Sequence, residues 1–189
     1  MTTQPLPLRD TPRAYGKVTR TLHWSIAALL LWQFMTMTLK VVFEISPRDS
    51  AVIASHGPVG TAVFGLIVIR VVWAFANAGR RPDHGRGMIG IAAKAGHGIL
   101  YLVMIAVPLL ALLRAFGSGR GFAPFGFTLF PTREEPIAWM VSLGNAAHGT
   151  TGWIFGALIL GHIAMVGVHE AMWKDGTLSK MAGRKAMRG

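Results

Sequence analysis

The chain has 189 residues, of which 52% are hydrophobic and 14% are charged, whereas a soluble globular domain carries roughly 25% charged residues. This composition excludes an ordinary soluble domain, and the clustering of the cations between apolar runs argues that the net charge of +11 does not mark a nucleic-acid-binding domain. Cysteine is absent, which excludes disulfides, thiolate metal sites, iron–sulfur clusters and thioether-linked haem, so any metal must be held by histidine, methionine or carboxylate side chains.

Four apolar stretches are each long enough for an α-helix to cross the ~30 Å hydrocarbon core of a bilayer. They cover residues 21–42, 52–76, 95–115 and 143–169. We therefore predict an all-α integral membrane protein, a four-transmembrane-helix bundle that forms a single membrane domain over residues 1–189. The region before the first stretch has no small-residue cleavage site after a short apolar run, so we expect the first helix to be retained.

Positive charges are distributed unequally between the two sides of the predicted bundle. Thirteen Lys and Arg fall on one side, as four before the first stretch, four in the second loop and five at the C-terminus, against five on the other side. Because cytoplasmic loops are enriched in Lys and Arg, we expect both termini to be cytoplasmic. Tryptophans near the ends of the stretches agree with these boundaries, since indole rings favour the headgroup layer: Trp24, Trp73, Trp139 and Trp173.

The third loop, residues 116–142, is rich in Gly, Pro and Phe, and we expect it to lie against the outer membrane surface. With Arg114 just before it, the loop has three basic and two acidic residues, which nearly balance, so charge counting does not indicate that this face attracts an anion. Pro108, inside the third predicted helix, is expected to kink or loosen it because proline cannot donate a backbone hydrogen bond.

Six of the seven histidines lie in or at the ends of the predicted helices, and an ionisable side chain in a membrane is costly enough to indicate function. His84 is the exception and is expected to be an ordinary surface residue of a polar loop. His148 and His162 are 14 residues apart, so an α-helix places them on nearly the same face, about 21 Å apart along its axis. The predicted topology matches His56 with His148 in depth, and His23 with His162.

Two depth-matched histidine pairs suit a flat ligand held by one imidazole on each face, as in a low-spin b-type haem. We therefore predict two haem b groups between the helices. Zinc is one alternative, but it normally takes four tetrahedral ligands and each pair offers two or three without an intramembrane carboxylate; a histidine-lined channel or proton path is another. Gly60 and Gly152, each four residues after a histidine, either leave room for a macrocycle or mark close helix packing.

Two further residues have open roles. His169 lies seven residues after His162, hence on almost the same face and about 10 Å further along the helix, and depth alone allows either histidine to be the ligand. Arg70 follows His56 by 14 residues, which carries it to the inner half of the bundle. A guanidinium there either pairs with a haem propionate or extends to the cytoplasmic headgroups.

The pattern of motifs is similar to that of a known family. The motifs are His23-Trp24, His56-Gly57, Gly96-His97 with Tyr101, then His148, His162 and His169, and finally Trp173-Lys174-Asp175-Gly176-Thr177-Leu178. Together they resemble the bacterial cytochrome b561 family, most closely its stand-alone members that act as superoxide oxidases. The resemblance covers nearly the whole chain and implies a four-helix protein of the bacterial inner membrane.

The resemblance also implies ligands and an activity. His23 with His162 would hold the haem on the cytoplasmic side, and His56 with His148 the haem on the periplasmic side. Electrons would pass from superoxide to ubiquinone, giving oxygen and quinol. The alternative within the wider superfamily is a cytochrome b subunit that passes electrons from a partner hydrogenase or dehydrogenase to quinone.

We expect the quinone site at the cytoplasmic pole, where topology brings together His97, His169, Trp24, Arg70 and Lys94. His169 is the first candidate and His97 the second, because a histidine at the membrane edge can hydrogen-bond a quinone oxygen and relay a proton. His169 could instead anchor a propionate or the helix end, and His97 could be a propionate partner or a helix-end histidine.

Overall fold

The computed structural model describes residues 7–83, 85 and 87–182. The helices are α1 (Lys17–Phe43), α2 (Ala51–Ala54), α3 (His56–Ala76), α4 (Gly87–Gly117), α5 (Ala138–Val168) and α6 (Thr177–Ala182), with 3₁₀ turns at Ala78–Arg80 and Pro124–Gly126 and a π-helical turn at His169–Trp173. Strands β1 (Arg120–Phe122) and β2 (Phe130–Thr132) form a small antiparallel hairpin between α4 and α5.

The predicted membrane bundle is confirmed. Within the described residues, four helical segments are long and apolar enough to cross a bilayer: Lys17–Phe43, Ala51–Ala76, Gly87–Gly117 and Ala138–Trp173. The second segment joins α2 and α3 through Ser55, which caps α2 with a backbone hydrogen bond to Ala51. A spanning helix satisfies every backbone polar group internally, which is why apolar segments of this length fold as helices in lipid.

The helices extend further than the hydropathy pattern predicts, most of all at the starts of α4 and α5. α4 begins at Gly87 rather than at 95, and α5 begins at Ala138 rather than at 143. Hydropathy marks only the part of a helix inside the hydrocarbon, whereas backbone hydrogen bonding continues beyond it. Lys94 can remain helical because its long stem lets the ammonium group reach the polar layer.

The bundle packs around a small apolar core in which α1, α3, α4 and α5 all take part: Ile26, Val63, Ile67, Met104 and Phe155. α4 and α5 approach each other most closely at glycines. A Cβ added to Gly144 would meet Cβ of Arg114 and lie 2.9 Å from the carbonyl oxygen of Leu110, and a Cβ on Gly117 would lie 2.5 Å from Cβ of Met140. Close approach of two backbones at small residues is the usual packing device of membrane helices.

Gly144→Ala is expected to lower the free energy of unfolding in detergent by about 1–3 kcal/mol, because the added methyl group forces α4 and α5 apart. Gly65→Ala on α3 is the matched control, since nothing lies within 4 Å of a Cβ there. Thermal unfolding measures both. Equal melting temperatures for the two variants would contradict this account of the packing.

The two ends of the bundle differ. At the end where the described residues begin and end, here called the termini end, the buried carboxylate of Asp10 accepts a hydrogen bond from the Gly16 N–H at 2.8 Å and pairs with Nε of Arg81 at 3.3 Å. Arg20 donates to the carbonyl of Lys180 at 2.9 Å, which joins the start of α1 to α6. The opposite end, the hairpin end, carries β1 and β2.

Candidate cofactor sites

His56 and His148 face each other near the hairpin end. Their ring centres are 6.2 Å apart and the ring planes are nearly perpendicular, at 78°. His56 is the first residue of α3 and His148 lies in the first third of α5, so the pairing expected from depth is present. Both rings line a cavity of about 580 Å³.

Hydrogen bonds fix which ring nitrogen each histidine presents. Nδ1 of His148 lies 2.9 Å from the carbonyl oxygen of Val107, which can only accept, so Nδ1 carries the proton. Nδ1 of His56 lies 3.3 Å from the hydroxyl of Thr36, which itself donates to the Gln33 carbonyl at 2.8 Å. In both residues Nε2 is left as the nitrogen that can bind a metal, the usual arrangement for ligating histidines.

The pair fits one metal ion held between two imidazoles. At a nitrogen–metal bond of about 2 Å, the centres of two such rings lie about 6 Å apart, and the observed value is 6.2 Å. The space around the pair is also suitable for a flat group, because nothing lies within 4 Å of a Cβ on Gly149 or Gly152.

Gly60 and Gly152, to which the sequence assigned two alternative roles, have different surroundings in the structure. Gly152 lines the cavity with free space before it, as a macrocycle would need. Gly60 instead makes room for a side chain, since a Cβ there would lie 2.7 Å from Nε2 of Gln33. That amide donates to the carbonyl of His56 at 3.0 Å, so Gly60 supports the histidine indirectly.

Cations from three separate elements meet at this cavity. Lys40 of α1, Arg114 of α4 and Arg120 of β1 all line it. The hairpin forms part of the wall, with the ring of Phe122 lying 3.6 Å from the position of a Gly57 Cβ. Charge counting along the third loop does not reveal this cluster, because only Arg120 of the three cations lies in that loop.

A second histidine cluster lies nearer the termini end. The ring centres of His97 and His162 are 5.5 Å apart, and His23 is within electrostatic reach of His97, His162 and Arg70. Nδ1 of His97 donates to the Ala93 carbonyl at 2.7 Å. Trp24 packs edge-on against His23, with ring centres 5.2 Å apart. The sequence matched His23 with His162 in depth, and the structure brings His97 to the same place.

Arg70 turns into the bundle. Its Nη1 donates to the carbonyl of Thr19 at 3.4 Å, and its guanidinium lies 5.8 Å from the ring centre of Tyr101. Arg70 also interacts electrostatically with His23 and His162. Together these contacts favour a guanidinium inside the bundle over one that extends to the lipid headgroups. An interior guanidinium suits an anionic partner such as a carboxylate.

His169 belongs to a separate group. Its Nδ1 lies 2.6 Å from Oδ2 of Asp175 and 3.5 Å from the hydroxyl of Thr177, and its ring centre is 4.5 Å from that of Trp173. Partial burial acts to raise the pKa of Asp175, but hydrogen bonds from Thr177 and His169 outweigh it and hold that pKa below its ordinary value. The carboxylate is therefore ionised at neutral pH.

The other candidates for the quinone site have contacts of their own. Lys94 lines a groove between α3 and α4 together with Arg81 and Tyr101. The sequence did not point to Thr36 or to a hydrogen-bonding role for Asp175. Thr36 could have been found in the sequence, because it is a polar residue in an apolar helix. Asp175 could not, because it is six residues from His169 and a regular helix does not bring residues at that spacing together. His84 lies outside the described residues.

Comparison with known proteins identifies the family. The sequence profile of the prokaryotic cytochrome b561 family matches residues 14–184. The chain belongs to this family. A relative from Escherichia coli strain K12, described as cytochrome b561 homolog 2, is 26% identical over 182 residues, which cover 94% of this chain and 95% of the relative.

Cytochromes b561 bind haem b and transfer electrons in the membrane, so the chain is a membrane-bound b-type cytochrome. Four apolar helices and this family fit a multi-pass protein of the plasma membrane. Across residues 7–83, 85 and 87–182, no three histidine or acidic side chains are grouped so as to hold a metal ion. The paired imidazoles suit the axial positions of haem iron in a cytochrome b561.

Proposed function

We propose that this cytochrome b561 holds two haem b groups, one between His56 and His148 and the other between His23 and His162. The ring separation of 6.2 Å at the first pair, with Nδ1 of each ring hydrogen-bonded, is the observation that carries the proposal. At the second pair, Arg70 is the proposed partner of a propionate. Bound haem would supply the one-electron redox chemistry.

The protein's own residues prepare the hairpin-end site for that chemistry. His56 and His148 would offer Nε2 to the iron, and the Nδ1 partners of both rings hold the ring planes in place. Apolar side chains such as Phe34, Met104 and Phe155 line the hairpin-end cavity. An apolar lining has few dipoles that must reorient, and this reduces the reorganisation of the surroundings at each change in the charge of a bound haem.

We further propose that the chain is a superoxide oxidase with both termini in the cytoplasm, so that the hairpin end faces the periplasm. Lys40, Arg114 and Arg120 support this assignment, because three cations around one opening attract a small anion. Two superoxide anions lose one electron each and leave as oxygen. Ubiquinone receives the two electrons and two protons and leaves as quinol.

Ubiquinone is proposed to bind beside His169 at the termini end. With Nδ1 bonded to Asp175, His169 has Nε2 left to hydrogen-bond a quinone oxygen and deliver a proton to it. The ionised Asp175 then stabilises the positively charged imidazole between turnovers. The π-helical turn His169–Trp173 supports this site, since such turns often occur at functional positions. His97 and Trp24 are the second candidates.

His169→Ala is expected to leave both haem spectra and their reduction by superoxide unchanged, while slowing reoxidation by ubiquinone roughly 100-fold, because a positioned acid is lost. Asp175→Asn should slow the same step less. Stopped-flow absorbance in the haem bands measures both rates.

Glu170→Gln is the matched control for Asp175→Asn, since it removes one carboxylate from the π-helical turn that precedes Asp175. Unchanged quinone reoxidation in His169→Ala, or loss of a haem, would show that His169 has another role. A protein reduced slowly by superoxide and rapidly by a co-purifying dehydrogenase would instead be an electron-transfer subunit of a larger complex.

A further inference from the structure

Thr36 is a fully buried polar residue in the apolar part of α1. Its exposed fraction is 0%. Its hydroxyl donates to the carbonyl of Gln33 at 2.8 Å and lies 3.3 Å from Nδ1 of His56. A hydroxyl has one proton to donate, and the short bond to the carbonyl uses it, so only a lone pair faces the imidazole. Thr36 is therefore the acceptor for the Nδ1–H of His56.

Gln33, one helical turn earlier, holds the backbone of the same histidine. Its amide Nε2 donates to the carbonyl of His56 at 3.0 Å, and the missing side chain of Gly60 leaves room for it. α1 thus grips both the ring and the main chain of the first residue of α3. Neither contact involves the cavity cations Lys40, Arg114 and Arg120 or a residue of the proposed quinone site.

The two histidines at this site differ in what holds them. Nδ1 of His148 donates to the main-chain carbonyl of Val107. No side-chain substitution directly changes the strength of this acceptor. Nδ1 of His56 bonds to a side-chain hydroxyl. An acceptor at Nδ1 raises the basicity of a ligating imidazole and fixes its orientation. A more basic ligand stabilises ferric iron more than ferrous iron, which lowers the reduction potential.

We propose that Thr36 is a positioning residue that sets the tautomer and ligand strength of His56 and thereby lowers the reduction potential of the haem at the hairpin end. The inference rests on the proposed binding of haem by His56 and His148. The side chain that adjusts the reduction potential then lies on α1, a helix that supplies neither of the two ligands.

The test is a potentiometric titration of purified holoprotein, following the haem bands, with Thr36→Val. Valine keeps the branched shape and removes the acceptor. We expect affinity for ferric haem at this site to fall about ten-fold. If the ferrous form is unaffected, that ten-fold change corresponds to a rise of about 59 mV in the potential. The potential of the other haem should not move.

Thr61→Val is the matched control, because Thr61 lines the same cavity and its hydroxyl bonds only to the carbonyl of Gly57 in its own helix, at 3.1 Å. Thr36→Ser keeps the hydroxyl and should restore the wild-type potential. An unchanged potential in Thr36→Val, or an equal rise in Thr61→Val, would overturn the proposal.

Haem loss is also informative. Loss of one haem from Thr36→Val, with retention in Thr36→Ser and Thr61→Val, supports a role in holding His56, whereas loss from the serine variant as well would overturn it. If His56 does not hold a haem, His56→Ala keeps both haems. This result distinguishes a failure of the haem assignment from a failure of the proposal for Thr36.

Discussion

His56→Ala and His148→Ala are each expected to halve the haem content of the purified protein, from two groups per chain to one. Each substitution removes one of two imidazoles whose ring centres are 6.2 Å apart, and a six-coordinate, low-spin iron needs both. The pyridine haemochrome assay measures the haem stoichiometry, and optical and electron paramagnetic resonance spectra report the spin state of the haem that remains.

His169→Ala is the control for these substitutions, because His169 contacts Asp175 and Trp173 rather than this cavity. His162→Ala should remove the other haem. Comparing His23→Ala with His97→Ala then identifies the second ligand of that haem, since both rings lie near His162. Retention of two low-spin haems in both His56→Ala and His148→Ala would contradict the assignment of the hairpin-end site.

Removing the cations at the hairpin end is expected to slow reduction by superoxide about ten-fold at low ionic strength, within the range that electrostatic attraction contributes to association rates. The double variant Lys40→Gln/Arg120→Gln tests this and leaves Arg114, which packs against Gly144, in place. Added salt should slow the wild type more than the variant, because two of the three cavity cations that attract the anion are gone and only Arg114 remains.

Arg48→Gln provides the control at this end. Arg48 lies in the exposed loop between α1 and α2 and is not part of the cavity lining. Its removal should therefore change the rate only slightly. An equal loss of rate per charge removed in Arg48→Gln and in the double variant would indicate an effect of net charge alone, and no loss in the double variant would exclude steering by these side chains.

The membrane helices and the spacing of the histidines along them could be predicted from the sequence because both depend on short-range quantities. Twenty apolar residues cross a bilayer whatever surrounds them, and the 14-residue spacing of His148 and His162 fixes their common face. The ends of α4 and α5 could not be predicted in this way, because hydropathy stops at the hydrocarbon boundary while the helices continue to Gly87 and Ala138.

The supporting residues depend on how helices rotate against each other. Thr36 reaches His56 only because α1 turns that face toward α3, and no spacing within one helix contains this information. Asp175 reaches His169 because a π-helical turn and a left-handed Lys174 reverse the chain. The cations around the hairpin-end cavity come from three elements, so counting charges loop by loop could not group them.

The central claim is that superoxide at the hairpin end supplies the electrons that reduce ubiquinone at the termini end. The most direct measurement mixes the oxidised, purified protein with a superoxide source and ubiquinone and follows the consumption of superoxide and the formation of quinol and oxygen together. We expect one quinol and two molecules of oxygen for every two superoxide anions consumed, with no hydrogen peroxide above that from spontaneous dismutation. Superoxide consumption that yields oxygen and peroxide in equal amounts, without quinol, would contradict it.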